Sequence, residues 1–574
     1  MAERYFMYSD DNEAQQKELA IVESLAEDGL FEDLAFPAAS GSLYKDGLRP
    51  PLGYLPADVV EWSRINQLEI RNMNTPVTFG NDISQIQQGA LNDCYFLSSL
   101  AMISTKPDLC RALIVSDDQR GRGMYTVKFN KGGKWLYVHV DDRIPCNRSG
   151  DVYFSKSKDV NEAWVMIVEK AYAKLHGCYE SLMDGQIEYA LQDVTGFASM
   201  KHRLTEPKFA DQVASGEMWQ KLKAWSGEKQ LVGLSRTRSD DPRVHEGGLM
   251  GGHSYPIAEV CELHADATAD LEALDVQLVR IVDRWGVSGG GWAGDWSPES
   301  SMWEDYPDIK NIVGKKANVT SSFWMSWSDV CKNFNQLFVS IDMSDAPSSS
   351  IYSGSWILGD VKSGTGGNPL NDSFPQNPQY AFACSEPTKV VITVDQKDLM
   401  FTKGFLYDKD YKVSIGFIVM KITGTKSRST KFHAKKMMGG GVTFGKVRSI
   451  SGVVSLMPGR YVVVPCTVNP DKEGEFTVQI KASTSIIFEN SGNKMADADD
   501  EESDDEDLGE SSITGGSLDE NLDHGNEEDD STRGLQSLML MVGDLATYVK
   551  GVGGEVGMLE EACRDIEAKL EASL

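Results

Sequence analysis

The chain has 574 residues, 41% of them apolar, which is more than one hydrophobic core usually serves and enough to give three or four globular domains a core each. Its formal net charge of -30 speaks against nucleic-acid binding, and no run of about 18 uncharged apolar residues speaks for a transmembrane segment. The start, MAERYFMYSDDNEAQQKE, has neither a basic-then-apolar leader nor a Gly at position 2, and the nine cysteines stand singly without CxxC pairs, so a soluble protein of a reducing, cytoplasmic compartment is expected.

Residues 1–44 read as a lead-in, with Leu19, Val22, Leu25 and Ala26 at helical spacing ahead of the Pro-punctuated stretch FPAASGSLYKDGLRPPLGY. From 45 to 335, strand-like runs such as YTVKF, WLYVHV and QLVRIVD alternate with helix-like stretches such as NEAWVMIVEKAYAKLHG, a mixed α+β texture. From 345 to 490 the short runs KVVITVDQ, YKVSIGFIVMKIT, GRYVVVPCTV and EFTVQIKAS, separated by turn residues, predict an antiparallel β-sandwich. Residues 491–533 carry DADDEESDDEDLGE and have no basic residue between Lys494 and Arg533; they read as an acidic disordered linker. Over 534–574, Leu538, Val542, Leu545, Val549, Val552, Val556, Leu559, Cys563, Ile566 and Leu570 alternate steps of four and three, the seam of an amphipathic coiled-coil helix. Gly543, Gly551, Gly553, Gly554 and Gly557 weaken that helix, so it needs a partner; docking on its own chain and self-association both stay open.

Candidate chemistry lies in the α+β block. In QGALNDCYFLSSLAMIS a polar turn, Asn92 and Asp93, runs into an apolar helical stretch with Cys94 in the first turn. There the unsatisfied N–H groups and the positive end of the helix dipole favour a thiolate over a thiol. In GGLMGGHSYPIAEV a glycine-rich turn leads into a strand with His253 at its start, and the later strand LVRIVDRWG ends at Asp283 and Trp285. A cysteine followed far downstream by its histidine and an orienting residue is a cysteine-nucleophile pattern.

These segments resemble the calpain family of papain-like cysteine proteases. QGALNDCYFL is similar to its cysteine motif, EKAYAKLHGCYESL to the helix after it, and GGHSYPI and VDRWG to its histidine and asparagine motifs. The likeness runs in order from LFEDLAFPAASGSL to about residue 485 and takes in SGSW, NPQYAF and PGRYVVVPCTVNPDKEGEF, similar to the family's β-sandwich. The resemblance implies a two-lobed α+β protease core, with the cysteine lobe at 45–185 and the histidine lobe at 186–335, followed by the sandwich. It implies Cys94 as nucleophile, His253 as general base, and an oxyanion hole made by the Gln88 side chain and the Cys94 backbone N–H. Trp285 would shield the histidine's contact from water.

The chain also departs from the family. Asp283 and Arg284 stand where calpains have asparagine and proline. An aspartate accepts the same imidazole N–H but opposes the thiolate, and Arg284 is expected to be solvated rather than turned inward. Of the family's first calcium site Gly80 and Glu162 match, but Gln85 replaces an acid, with Asp82 nearby; of the second, Gly291, Pro298, Thr320 and Ser322 replace carboxylates. Calcium takes roughly six to eight oxygens, several of them carboxylate, so no cofactor is firmly expected and calcium would find degraded sites. No EF-hand loop is present. The expected function is intracellular limited proteolysis of protein substrates. The alternative is a catalytically weak or inactive scaffold that binds protein partners or membranes. Lys421, Lys426, Arg428, Lys431, Lys435 and Lys436 read as a solvated loop, with acidic phospholipid or the acidic linker as the other reading.

Overall fold

The computed structural model describes residues 3–45, 61–68, 77–80, 83, 85–159, 161–236, 248–249, 251–266, 272–285, 291–313, 322–402, 411–423, 428–432 and 436–489. The expected acidic linker and heptad helix, with Asp82, Thr320, Lys426 and Lys435, lie outside the described residues. The chain divides into two compact units. One is Met1–Asp345 with Val391–Lys412 and Val447–Gly452; the other is Ala346–Val390, Val413–Lys446 and Val453–Leu574. The cysteine-bearing and histidine-bearing stretches both fall in the first unit.

In the first unit the apolar run after Asp93 forms the helix Cys94–Ile103, buried from Tyr95 onward. Its neighbour, Trp164–His176, is buried along its whole length, so each charged residue on it must find an internal partner. Lys170 Nζ donates to the carbonyls of Asp141 and Arg143 at 3.0 and 2.7 Å, and Lys174 Nζ to both carboxylate oxygens of Asp33 at 2.9 and 2.8 Å. The second pair stitches the N-terminal lead-in to this helix. Tyr172 joins the helices by stacking on Phe96, ring centroids 4.0 Å apart, and meets Phe129 of the antiparallel sheet Ile114–Ser116, Met124–Lys131, Lys134–Asp141.

A six-stranded antiparallel sheet supplies the other half of the unit, in the order Ser322–Ser326, Leu274–Val282, Ser254–Ala265, Leu231–Ser235, Gln336–Ile341, Ala198–Arg203. Ser254–Ala265 and Leu274–Val282 are neighbours, with Ile257 opposite Ile281. The start of one antiparallel strand lies beside the end of the next, so His253 and Asp283 leave the sheet at the same edge. Glycine is required where the loop before His253 passes Gly291: Gly248 has φ +85, and a Cβ there would sit 1.8 Å from the Gly291 carbonyl oxygen.

The second unit is built from antiparallel strands, as the short alternating runs predicted. One sheet runs Met437–Gly445, Ile415–Ile422, Gly459–Thr467, Tyr380–Cys384, Ile486–Phe488. In a four-stranded sheet, Ser348–Trp356 pairs with Gly474–Ala482. The basic cluster is not uniformly solvated. Lys421 and Lys431 are exposed, but the Arg428 guanidinium donates to the carbonyls of Lys362, Pro375 and Asn377 at 2.9 to 3.0 Å, because a half-buried guanidinium must replace the water it loses.

Candidate active site

Cys94 opens its helix directly after Asp93, whose carbonyl accepts from the N–H groups of Phe96 and Leu97 at 2.8 and 3.2 Å. One turn further on, Ser98 meets the residue after His253. The Ser254 N–H donates to Ser98 Oγ at 3.2 Å, and Ser254 Oγ donates to the Ser98 carbonyl at 3.0 Å. Two buried hydrogen bonds therefore fasten the start of the histidine strand to the helix that begins at the cysteine. Trp285 completes the frame. Its ring meets the His253 imidazole edge-on, centroids 4.1 Å apart at 68°, while its Nε1–H donates to the Ser254 carbonyl at 2.7 Å. Only 3% of Trp285 is exposed, so it covers one side of the imidazole against water.

Asp283 Oδ1 accepts the Trp285 backbone N–H at 2.9 Å. Burial pushes this carboxyl above its ordinary range, opposed by that hydrogen bond and by the charge of Lys158. Gln88 Nε2 donates to the Leu91 carbonyl at 2.8 Å and so closes the turn that leads into Cys94. Next to it, Gly89 packs so closely on the Phe154 backbone that a Cβ would come within 2.2 Å of the Phe154 carbonyl, and the Ala90 N–H donates to Tyr153 O at 3.0 Å.

A second set of bonds joins the segment before the cysteine to the segment after the histidine strand. Gln85 Nε2 donates to the Asp283 carbonyl at 3.1 Å, Lys158 Nζ to Gln85 Oε1 at 2.9 Å, and the Ile86 N–H to the Arg284 carbonyl at 2.7 Å. Arg284 reaches the carbonyls of Ile83 at 3.1 Å and Ser104 at 3.5 Å. The expectation of a solvated Arg284 is therefore corrected. Its guanidinium turns inward because two carbonyls flanking the cysteine helix offer it acceptors, not to neutralise Asp283.

A description of the calpain family cysteine protease matches residues 31–341, and one of the calpain large subunit domain III matches residues 352–480. The chain belongs to the calpain family. It is 31% identical over 475 residues to the calpain-type cysteine protease DEK1 of Zea mays, which covers 80% of this chain and 21% of that protein. The corresponding figures for DEK1 of Arabidopsis thaliana are 32% over 494 residues, 82% and 22%, and for Calpain-A of Drosophila melanogaster 28% over 524 residues, 85% and 59%. The chain thus spans about a fifth of the length of these plant relatives.

Of the first calpain calcium position, the described residues Gly80, Gln85 and Glu162 are engaged within the protein. The Gly80 N–H donates to Glu162 Oε1 at 2.8 Å, and the Gly80 carbonyl, the natural metal-facing group, takes the Arg111 guanidinium at 3.0 Å. Gln85, in an acid's place, spends its amide on Asp283 and Lys158. Among the described residues this donor set has one carboxylate and a carbonyl with an arginine seated on it, which is poor for calcium. His176, Asp193 and Asp398 bring one donor atom each to within 4.8 Å of one another, but cations of the protein already serve them. Lys131 Nζ lies 2.5 Å from Asp193 and 2.6 Å from Asp398, and Arg448 lies 3.0 Å from both.

Ser98 and Ser254, the residues that fasten the two halves of the site, were not singled out from the sequence. Serine is common, and only the position of Ser98 four residues after Cys94 hints at a shared face. A clearer signal was missed at Glu169, an acid that follows directly on the apolar run WVMIV.

Proposed function

We propose that the chain is an intracellular cysteine endopeptidase that makes limited cuts in protein substrates through an acyl-enzyme on Cys94. The observation that supports this most is the pair of Ser254–Ser98 hydrogen bonds, which sets the imidazole that Trp285 covers beside the helix beginning at the cysteine. In this reading His253 holds the proton lost by Cys94, and the thiolate attacks the scissile carbonyl carbon. The C–S bond forms as the oxyanion takes hydrogen bonds from Gln88 Nε2 and the Cys94 N–H, donors worth about 3 kcal/mol of barrier each. The Gln88 amide has two N–H groups, so the one that does not serve Leu91 O is the oxyanion donor. The imidazolium then protonates the amine as the C–N bond breaks; water, giving its proton to His253, attacks the thioester and frees Cys94.

In this reading Asp283 takes the orienting position, and its half-buried carboxyl accepts the Trp285 N–H. We infer that activity needs no calcium, since Arg111 takes the Gly80 carbonyl and Gln85, which stands in an acid's place, is held by Lys158. An intracellular setting is supported by eight free cysteines among the described residues. Among the same residues no helix is long and apolar enough to cross a membrane. Self-association through 534–574 rests on the heptad pattern; deleting those residues then lowers the mass in light scattering.

The test is cleavage of an unstructured protein by the purified chain, with calcium or with a chelator, beside Cys94→Ser. Equal, Cys94-dependent cleavage in both conditions is expected. The acid at 283 favours one other reading, a weak or inactive scaffold, and absence of Cys94-dependent cleavage in either condition would establish it.

A further inference from the structure

Behind Cys94 lies a pair of acids that the reaction just described does not use. Asp93, the residue before the cysteine, is 0% exposed, and Glu169, midway along the Trp164–His176 helix, is 1% exposed. Their carboxyls are hydrogen-bonding neighbours; burial pushes both above the ordinary carboxylate range, the charge of Asp93 pushes Glu169 up further, and the hydrogen bond from Glu169 holds Asp93 back. Were both ionised, neither carboxylate would have a proton to give the other, and both buried oxygens of Asp93 would lack a donor among the described residues. A single proton resolves this, because a carboxylic acid donates to the carboxylate beside it. The titratable groups around the pair, Tyr95 and Tyr179, are fully buried phenols whose own pKa values burial and the pair's charge push far up, so neither carries a competing charge.

Glu169 has a second task. Both of its oxygens accept the Ser155 N–H, each at 3.2 Å. Ser155 continues the stretch on which Gly89 packs and from which Tyr153 O takes the Ala90 N–H, the wall behind the turn that carries Gln88. One carboxyl therefore touches the residue that precedes Cys94 and the strand that backs Gln88.

We propose that Glu169 is a positioning residue of the site: with Asp93 it holds one shared proton, and through Asp93 and Ser155 it fixes both oxyanion donors, the Cys94 N–H and the Gln88 side chain, relative to each other. This deepens the protease reading and rests on it for the oxyanion and the kinetic effects, whereas the shared proton stands apart from it. The shared proton also keeps the buried charge beneath the thiolate at one unit instead of two, which matters because a like charge close by disfavours thiolate formation.

The experiment joins a spectroscopic readout with a kinetic one. In infrared difference spectra at pH 7, wild type minus Glu169→Gln is expected to show a protonated-carboxyl C=O stretch, and Asp93→Asn is expected to remove the same band. No such band in either difference would overturn the shared proton. For positioning, Glu169→Ala is expected to lower kcat and the affinity for a peptide aldehyde at Cys94 by at least about tenfold, with KM changed less than about threefold. Glu169→Gln, which still accepts from Ser155 and donates to Asp93, should recover most of both. Equal losses in Ala and Gln variants, or none in Ala, would overturn it. If wild type cleaves nothing, the protease reading falls, while the infrared band and alkylation of Cys94 by iodoacetamide still decide the acid pair.

Discussion

The cysteine–histidine region and the calcium-position region of this calpain have fared differently. Where the proposed reaction would need a particular atom, the residue is present and its surroundings are built: Cys94 on a helix end, His253 under Trp285, Gln88 on a turn backed by Tyr153 and Phe154. Where a divalent cation would need oxygens, the chain offers an amide at Gln85 and a Gly80 carbonyl that takes Arg111, while Arg284 gathers the carbonyls of Ile83 and Ser104 nearby. The contrast teaches that register between the two halves of a site is a mechanical requirement open to more than one chemistry. A cation gathering loops and a guanidinium gathering carbonyls both supply positive charge to oxygens, but the guanidinium is covalently part of the chain and cannot be titrated away.

The sharpest way to break the comparison is at its preserved side. Cys94→Ser should lower turnover by at least about a thousandfold, since a hydroxyl in a site tuned for a thiolate is a poor nucleophile. Retention of more than a tenth of the activity would assign the cleavage to a contaminant or to another residue. Next in size is Arg284→Ala. Losing the bonds to Ile83 and Ser104 frees the flanks of the cysteine helix, and misplacement of about an ångström is worth up to about a hundredfold, so kcat/KM should fall ten- to a hundredfold. Calcium should not restore it. Recovery with millimolar calcium would mean that the positions at Gly80 and Glu162 still take the ion. Gln85→Glu probes the same clamp more gently. The carboxylate loses the donor to Asp283 O but keeps Lys158, and a loss of about threefold in kcat/KM at low calcium is expected from steady-state rates. A gain on calcium addition confined to this variant would mark position 85 as the switch between the two chemistries.

Much of this was legible in the sequence, for identifiable reasons. The helix start at Cys94 and the strand start after His253 are readable because polar and glycine turn residues punctuate a helix or strand end, and such punctuation survives in the letters. The antiparallel texture after residue 345 followed from period-two runs. Arg284 was misjudged because an arginine after a strand is usually solvated, and only the fold shows that the carbonyls of Ile83 and Ser104, some 180 to 200 positions away, come within its reach. Asp93 was read as one half of a polar turn. Its burial depends on Glu169, 76 positions downstream on another helix, and pairing between two acids leaves no trace in local pattern. Long-range polar partnership is thus the part that periodicity cannot carry.

The smallest expected effect lies at Asp283, where the two regions meet. Its folded pKa is raised, so the protein binds a proton there more tightly than the unfolded chain does, and the contribution to stability is present below the unfolded pKa and lost as pH rises through the folded one. At neutral pH the buried carboxylate therefore costs stability, and asparagine, which does not titrate, should remove that cost. Asp283→Asn is expected to raise Tm by about a degree or two at pH 7 and by nothing below about pH 3, where the acid is neutral in both states. The same removal of charge beside the thiolate should raise kcat/KM about threefold at neutral pH, with the ratio of variant to wild type shrinking toward one as pH falls. If the ratio instead drops below one at neutral pH, the carboxylate is holding the imidazolium, and Asp283 assists the reaction as an orienting anion instead of restraining it.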